Sequence, residues 1–156
     1  MEIYEQYFDK QLGYTYYQYR EDIWTNKGID SLVLNKELMP YYVMEILEDE
    51  PDDFFYFPVF NKDGNKHRFI ESEADYLFYF KKFTTGLYSM EPQVIRPMIR
   101  GLWQDDGAKY KGAPLVELSN GNKCVALPMS EFEKEINNHK LEPSVIHLLK
   151  NYGNKT

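Results

Sequence analysis

The sequence predicts an α+β fold, in which about three hairpins build an antiparallel sheet and helices pack on one face of it. Three pairs of runs rich in Tyr, Phe, Ile and Val flank turns that contain Asn, Asp and Gly, a pattern typical of hairpins. Helical patterns follow these pairs along the chain. Because 43% of the 156 residues are hydrophobic, the chain can bury its own core, and we expect a single compact domain over 1–156.

The turn residues place each hairpin. Asp63-Gly64 and Asn120-Gly121 each lie between two strand-forming runs, and both dipeptides favour tight turns because their residues accept a left-handed backbone. The segment 25–28, which precedes the apolar run at 29–34, also contains Asn and Gly. The predicted hairpins are 14–34 with its turn at 25–28, 54–70 with its turn at 62–65, and 114–127 with its turn at 119–122.

The helix predictions depend on start residues and on apolar spacing. Ser72 is followed by acids in what would be the first turn, and Ser130 stands three residues before Glu133, as in a capping box. Pro92 and Pro143 occupy first-turn positions, where proline is tolerated. The predicted helices span 1–10, 36–49, 72–86, 92–103 with a bend near Pro97, 130–138 and 143–152.

The charge of the chain is uneven. The net charge is −7, and residues 1–78 contribute −10 while residues 79–156 contribute +3. The acidic half lacks the basic footprint that nucleic-acid binding needs, so we expect no direct contact with nucleic acid. Six acids fall within nine positions, and we name this set the acidic ridge. Its members are Glu45, Glu48, Asp49, Glu50, Asp52 and Asp53.

The acidic ridge is predicted to be exposed, because like charges at this density repel each other and stay in water. Such a surface attracts a partner protein with a basic surface and speeds the encounter between the two. The alternative is a solvated helix end that only keeps the protein in solution. A second candidate contact is aromatic. Tyr17 and Tyr19 lie in a strand with tyrosines on both faces, and tyrosine supplies binding energy at interfaces, although it is also common in half-buried strands.

An alternative ligand site lies in the C-terminal half. Its residues combine arginines, which bind phosphate through paired hydrogen bonds, with an aromatic ring that can stack on a base. They are Arg96, Arg100, Trp103, Lys109 and Lys111. This set predicts binding of a nucleotide or another phosphorylated ligand. The same positive strip is also explained by pairing with the acidic half of the chain.

Motifs for catalysis and metal binding are absent from the sequence. The three histidines and Cys124 follow no zinc-ligand spacing. No nucleophile elbow and no phosphate-binding loop occurs. We therefore predict no metal, no cofactor and no catalytic residue, and the sequence favours a protein that is not an enzyme.

These observations predict a small acidic intracellular protein that inhibits or neutralises a protein partner. An immunity protein or a phage anti-defence inhibitor is of this type, and its carboxylates would enter a basic cleft that normally holds nucleic acid. The alternatives are a small enzyme or sensor for a phosphorylated ligand, and a subunit of a larger assembly. The N-terminus has no basic segment before an apolar one, and no apolar run is long enough to span a membrane, so we expect a cytoplasmic protein without membrane contact.

Overall fold

The computed structural model describes residues 3–104, 115–131 and 146–151, and within these ranges the chain forms nine strands and three α-helices. The strands are β1 (Thr15–Gln18), β2 (Ser31–Leu34), β3 (Pro40–Glu48), β4 (Phe54–Phe60), β5 (Tyr76–Lys81), β6 (Gly86–Met90), β7 (Val116–Glu117), β8 (Lys123–Pro128) and β9 (Ile146–Asn151). The helices are α1 (Ile3–Glu5), which continues as a π-helical segment (Gln6–Gln11), α2 (Asp22–Thr25) and α3 (Pro92–Gln104). Short 3₁₀ helices span Arg68–Glu71 and Met129–Glu131. This content confirms the α+β class.

The larger sheet has the strand order β1-β2-β3-β5-β6-β9 and is mixed. Four of its neighbouring pairs are antiparallel, but β3 and β5 are parallel, from Val43 opposite Tyr76 to Glu48 opposite Lys81. The prediction of a purely antiparallel sheet is therefore wrong at this pair. The reason is that β4, which follows β3, belongs to the second sheet, so the chain re-enters the first sheet in the direction of β3.

The smaller sheet has the strand order β4-β8-β7 and is antiparallel. The hairpin predicted over 54–70 is only half formed. Its turn is present, because the Asn61 side chain accepts the N–H groups of Asp63 and Asn65, but a 3₁₀ helix replaces the return strand. β4 pairs instead with β8, which is distant in sequence. The third predicted hairpin is present as β7 and β8.

Three of the predicted helices are strands in the structure. The segment 36–49 contains β3, the segment 72–86 contains β5, and the segment 143–152 contains β9. β3 and β5 are central strands with apolar contacts on both faces, so their apolar residues follow one another almost without interruption. Spacing alone does not distinguish such a run from a buried helix. The aromatic residues of β5 were the better signal, because aromatic side chains favour strands.

Other elements match their predictions wholly or in part. α3 contains Pro97 and covers the predicted helix at 92–103, and α1 with its π-helical continuation covers the predicted N-terminal helix. The first predicted hairpin is only partly right: β1 pairs with β2, but β1 ends at Gln18, and α2 occupies the second half of the strand predicted before the turn at 25–28. Most of the predicted helix at 130–138 lies outside the described residues. None of the described helices has both the length and the apolar character needed to cross a membrane.

Two apolar clusters cover opposite faces of the larger sheet. Side chains alternate along a strand, so Val43 and Phe78 face one cluster with α1, while Met44 and Leu77 face the other. The second cluster also contains residues of the smaller sheet and of α3, such as Ile99. Helices therefore pack on both faces of the larger sheet, and the prediction of helices on one face is wrong.

Candidate protein-binding surface

The acidic ridge is divided by the structure into an internal and an external part. Glu48 retains only 4% of its surface and is buried, so the prediction of an exposed ridge is wrong for this residue. Glu48 is the last residue of β3 and follows Met44 and Ile46 on the core-facing side. Alternate side chains of a strand face the same side, so Glu48 faces the core with Met44 and Ile46. The prediction of a helix for this segment uses a different spacing and therefore missed the burial of Glu48.

Lys81 pairs with two carboxylates of the acidic ridge, those of Glu48 and Asp52. Its ammonium Nζ lies 2.8 Å from both carboxylate oxygens of Glu48 and 3.2 Å from Oδ1 of Asp52. The Lys81 side chain is fully buried, and the Tyr79 hydroxyl donates a further hydrogen bond to Glu48. Nζ also lies 5.4 Å from the centre of the Tyr56 ring. We name Glu48, Asp52, Tyr56, Tyr79 and Lys81 the Lys81 cluster, and it links the larger sheet to β4.

The acid–base behaviour of the Lys81 cluster follows from these contacts. Burial alone would raise the pKa of Asp52, but hydrogen bonds from the Tyr56 hydroxyl and the Phe54 N–H, together with the Lys81 ammonium, lower it. Burial and the nearby Asp52 carboxylate raise the pKa of Tyr56 above its ordinary value. Burial and Glu48 likewise raise the pKa of Tyr79. Both phenols therefore stay protonated and act as hydrogen-bond donors to carboxylates.

Glu45 is also held by internal contacts. Its Oε2 accepts hydrogen bonds from the Tyr16 hydroxyl and from Oγ of Ser31, at 3.0 Å for the latter. Its backbone N–H donates to Oδ2 of Asp30 at 2.7 Å, and Asp30 pairs in turn with Arg68 at 2.8 Å. Burial and Glu45 raise the pKa of Tyr16. Glu45 therefore connects β1, β2 and β3 and is half-buried rather than free in solvent.

The external part of the ridge lies in the loop between β3 and β4. Asp49 and Asp53 are exposed there, and Glu50 is half-buried. The Glu50 N–H donates to Oε2 of Glu48 at 2.7 Å, so the buried carboxylate also shapes the loop. Of the six residues of the acidic ridge, Asp49 and Asp53 are the two whose side chains are exposed.

An aromatic row runs from β1 through α2 to β3. Tyr17 packs edge-on against Tyr19 at 5.2 Å, Tyr19 stacks on Trp24 at 4.4 Å, and Trp24 stacks on Tyr42 at 5.9 Å. We name these four residues the aromatic row. Tyr17 is 53% exposed, whereas the other three are half-buried and pack against the core cluster that contains Met44 and Leu77. The sequence predicted Tyr17 and Tyr19, and the structure adds Trp24 and Tyr42.

Exposed groups adjoin the aromatic row. α2 carries Trp24, and on the same short helix Asp22 is exposed and Ile23 is 63% exposed. The ammonium of Lys27 lies 5.7 Å from the centre of the Trp24 ring. Rings fixed against each other lose little conformational freedom when a partner covers them. The row therefore offers apolar contact area with charged groups at its border, as protein interfaces do.

The alternative phosphate site receives little support from geometry. Arg96 donates from Nη1 to the backbone carbonyl of Ser72, a contact that ties α3 to the segment before β5. Arg100 and Trp103 lie on α3 with Arg96. Lys109 and Lys111 lie outside the described residues.

The nucleophile and metal candidates are not assembled into a site in the described part of the chain. Cys124 is buried in β8, and its burial and the nearby Glu48 raise its thiol pKa to about 12. A thiol with so little thiolate at neutral pH is a poor nucleophile. His67 accepts the Phe69 N–H at its Nδ1, and burial lowers its pKa to about 4. Among the described residues, no three histidine, cysteine or acidic side chains could hold one metal ion.

Comparison with known proteins identifies no relative. No protein family matches the chain, and neither a characterised protein nor a solved structure is significantly similar to it.

Proposed function

We propose that this chain is a small acidic binding protein that inhibits or neutralises a protein partner, in the manner of an immunity protein or a phage anti-defence inhibitor. The aromatic row is the observation that carries the proposal. Three stacked rings with an exposed tyrosine packed edge-on at one end have the chemistry of binding hot spots, in which tyrosine and tryptophan dominate.

The charge of the chain supports a basic partner surface. The net charge is −7, and Asp49 and Asp53 point their carboxylates to solvent from one loop. A negative surface steers a positive one toward it and speeds association. A partner cleft that normally holds nucleic acid is such a surface, so an inhibitor of a nucleic-acid-handling enzyme fits these charges.

Truncation of Tyr17 tests the aromatic row. Tagged chain would be used as bait in lysate of the cells that express it, and the captured protein would then be purified and titrated calorimetrically. Tyr17→Ala is expected to weaken that complex about tenfold or more, because an exposed aromatic contact is lost without disturbing the core. Val116→Ala, which shortens another exposed apolar side chain on the other sheet, is the matched control and should leave the affinity unchanged. Equal affinities of the two variants would contradict the role of the row.

Charge reversal at the exposed residues of the acidic ridge tests whether their charges attract the partner. Asp49→Lys with Asp53→Lys is expected to lower the association rate about tenfold or more at low salt, because rim charges act mainly on the encounter. The control reverses two exposed acids elsewhere, Asp63→Lys with Glu37→Lys, and has the same net charge. Stopped-flow association with the captured protein measures both. If the two double variants slow association equally, only net charge matters and the loop is not the contact.

A further inference from the structure

The second half of β3 has a free edge within the described part of the chain. β2 pairs with β3 only from Pro40 to Val43, whereas β5 pairs with it from Val43 to Glu48. The Val43 carbonyl accepts the Asp30 N–H, so it points away from β5. Because backbone groups alternate in direction along a strand, the N–H and C=O groups of Glu45 and Leu47 point to the same side.

Along this edge, the backbone N–H of Glu45 already has a partner, whereas Leu47 has no described strand beside it. At Glu45 the N–H is capped by the Asp30 carboxylate at 2.7 Å, and Arg68 holds that carboxylate in place. At Leu47 no described strand lies beside the edge, and the residue is 54% exposed. An unpaired strand edge is a template for another chain, unless a charge, a proline or a bulge blocks it.

A groove lies alongside this edge. Its volume is about 180 Å³, and β3 from Met44 to Glu48 forms one wall while Pro58, Leu118 and Asn122 contribute to the lining from the smaller sheet. The groove shares His67, Arg68 and Asn122 with an adjoining cleft of about 470 Å³. At ~30 Å³ per water molecule, the smaller groove alone has room for roughly six waters. The groove therefore has room for a side chain of a segment that lies beside the strand.

The charges near the opening define the occupant. Asp49 is exposed two residues beyond Leu47, and the half-buried Glu50 follows it. The cation nearest to the buried acids, Lys81, already pairs with Glu48 and Asp52. Two further cations lie near the opening: Lys82, which is exposed and whose N–H donates to the Glu48 carbonyl, and Arg68, which lines the groove and is paired with Asp30. With Asp49 and Glu50 against Lys82, the rim keeps a net negative charge, and it complements basic side chains on an incoming strand.

We propose that β3 binds an extended basic segment of a partner protein as an added strand at Leu47. Backbone hydrogen bonds to the Leu47 N–H and C=O provide the register, and Asp49 provides the preference for lysine or arginine. This inference rests on the proposed function, since it names the form in which the partner is held.

The test uses a defined probe, a fluorescein-labelled peptide of nine alternating lysine and valine residues, and measures its fluorescence anisotropy on titration with the full chain. Leu47→Pro removes the edge N–H, and a proline is tolerated on an edge strand. Leu47→Ala keeps the N–H and is the matched control. Saturable binding is expected, with a dissociation constant raised about tenfold or more by Leu47→Pro and little changed by Leu47→Ala. A glutamate–valine peptide of the same length should not bind.

Two results would overturn strand addition: no saturable binding of the lysine–valine peptide, or equal binding by the wild type and Leu47→Pro. Urea unfolding of Leu47→Pro confirms that the fold is retained. The proposed function is judged separately, by the effect of Tyr17→Ala on the captured protein. Loss of that effect with retained peptide binding removes the proposed function alone, and the converse removes strand addition alone.

Discussion

Replacing Lys81 by methionine is expected to lower the free energy of unfolding by about 3–5 kcal/mol, because it leaves the buried Glu48 carboxylate without its cation. The Lys81 side chain is fully buried and that of Glu48 is 2% exposed, so water cannot take over the role of the ammonium. Urea unfolding followed by circular dichroism measures the change. Lys82→Met is the matched control, since Lys82 is exposed and its loss should change stability by less than about 0.5 kcal/mol.

A second substitution separates the cost of an unpaired charge from the cost of lost packing. In the double variant Lys81→Met with Glu48→Gln, no charge remains between the two residues, and the glutamine carbonyl can still accept the Tyr79 hydroxyl. We expect this variant to recover the greater part of the lost stability. If the double variant is no more stable than Lys81→Met, the loss comes from packing around the lysine stem. If Lys81→Met unfolds like Lys82→Met, the pair is not buried in solution.

Gly28→Ala is expected to cost about 2–5 kcal/mol for two separable reasons. Gly28 has φ +70°, which costs an L-residue about 1–2 kcal/mol. A Cβ at Gly28 would also lie 2.6 Å from Cβ and 2.7 Å from Cα of Ser72, and the resulting overpacking adds about 1–3 kcal/mol. Ser72 cannot move away cheaply, because its Oγ donates to the Gly28 carbonyl at 2.7 Å and accepts the Ala74 N–H at 3.1 Å.

Gly64→Ala is the matched control for Gly28→Ala. Gly64 has φ +84°, but a Cβ there would meet no atom within 4 Å. It therefore carries only the conformational cost of about 1–2 kcal/mol. Urea unfolding of both variants isolates the steric contribution as the difference between them. Equal losses would mean that the Ser72 segment relaxes around the new methyl group.

Local signals in the sequence predicted the turns and α3 correctly, and they failed at the central strands. Asp63-Gly64 forms a turn as predicted, yet the strand after it is absent, because β4 finds its partner in β8. Turn chemistry is local and can be read from a dipeptide. The choice of strand partner depends on residues far apart in sequence, and no local pattern encodes it.

Part of the candidate surface was predicted from the sequence. The physical reason for success or failure differs from residue to residue. Tyr17 and Tyr19 could be named because a strand with tyrosines on both faces has more aromatic surface than the core covers, although Tyr17 alone is left exposed and Tyr19 packs against the core. Glu48 was misjudged because a dense acidic run predicts exposure, and the buried cation that compensates it comes from β5. Lys81 itself carries no signal in the sequence, since it follows an apolar run as any strand-terminating lysine does.

The parallel pairing of β3 with β5 also determines how the larger sheet can assemble. β2 and β3 are joined by a short antiparallel connection, and so are β5 and β6, while β1 reaches its antiparallel partner β2 through a longer connection that contains α2. Each group can form from nearby residues, whereas the seam between them needs residues 49–75 to close a long loop first. The seam is thus one of two non-local pairings in this sheet, the other being that of β6 with β9, and it carries Glu48 opposite Lys81 at its end. Because Glu48 and Lys81 lie on opposite sides of the seam, the burial of both charges and their ion pair require the two groups of strands to be joined.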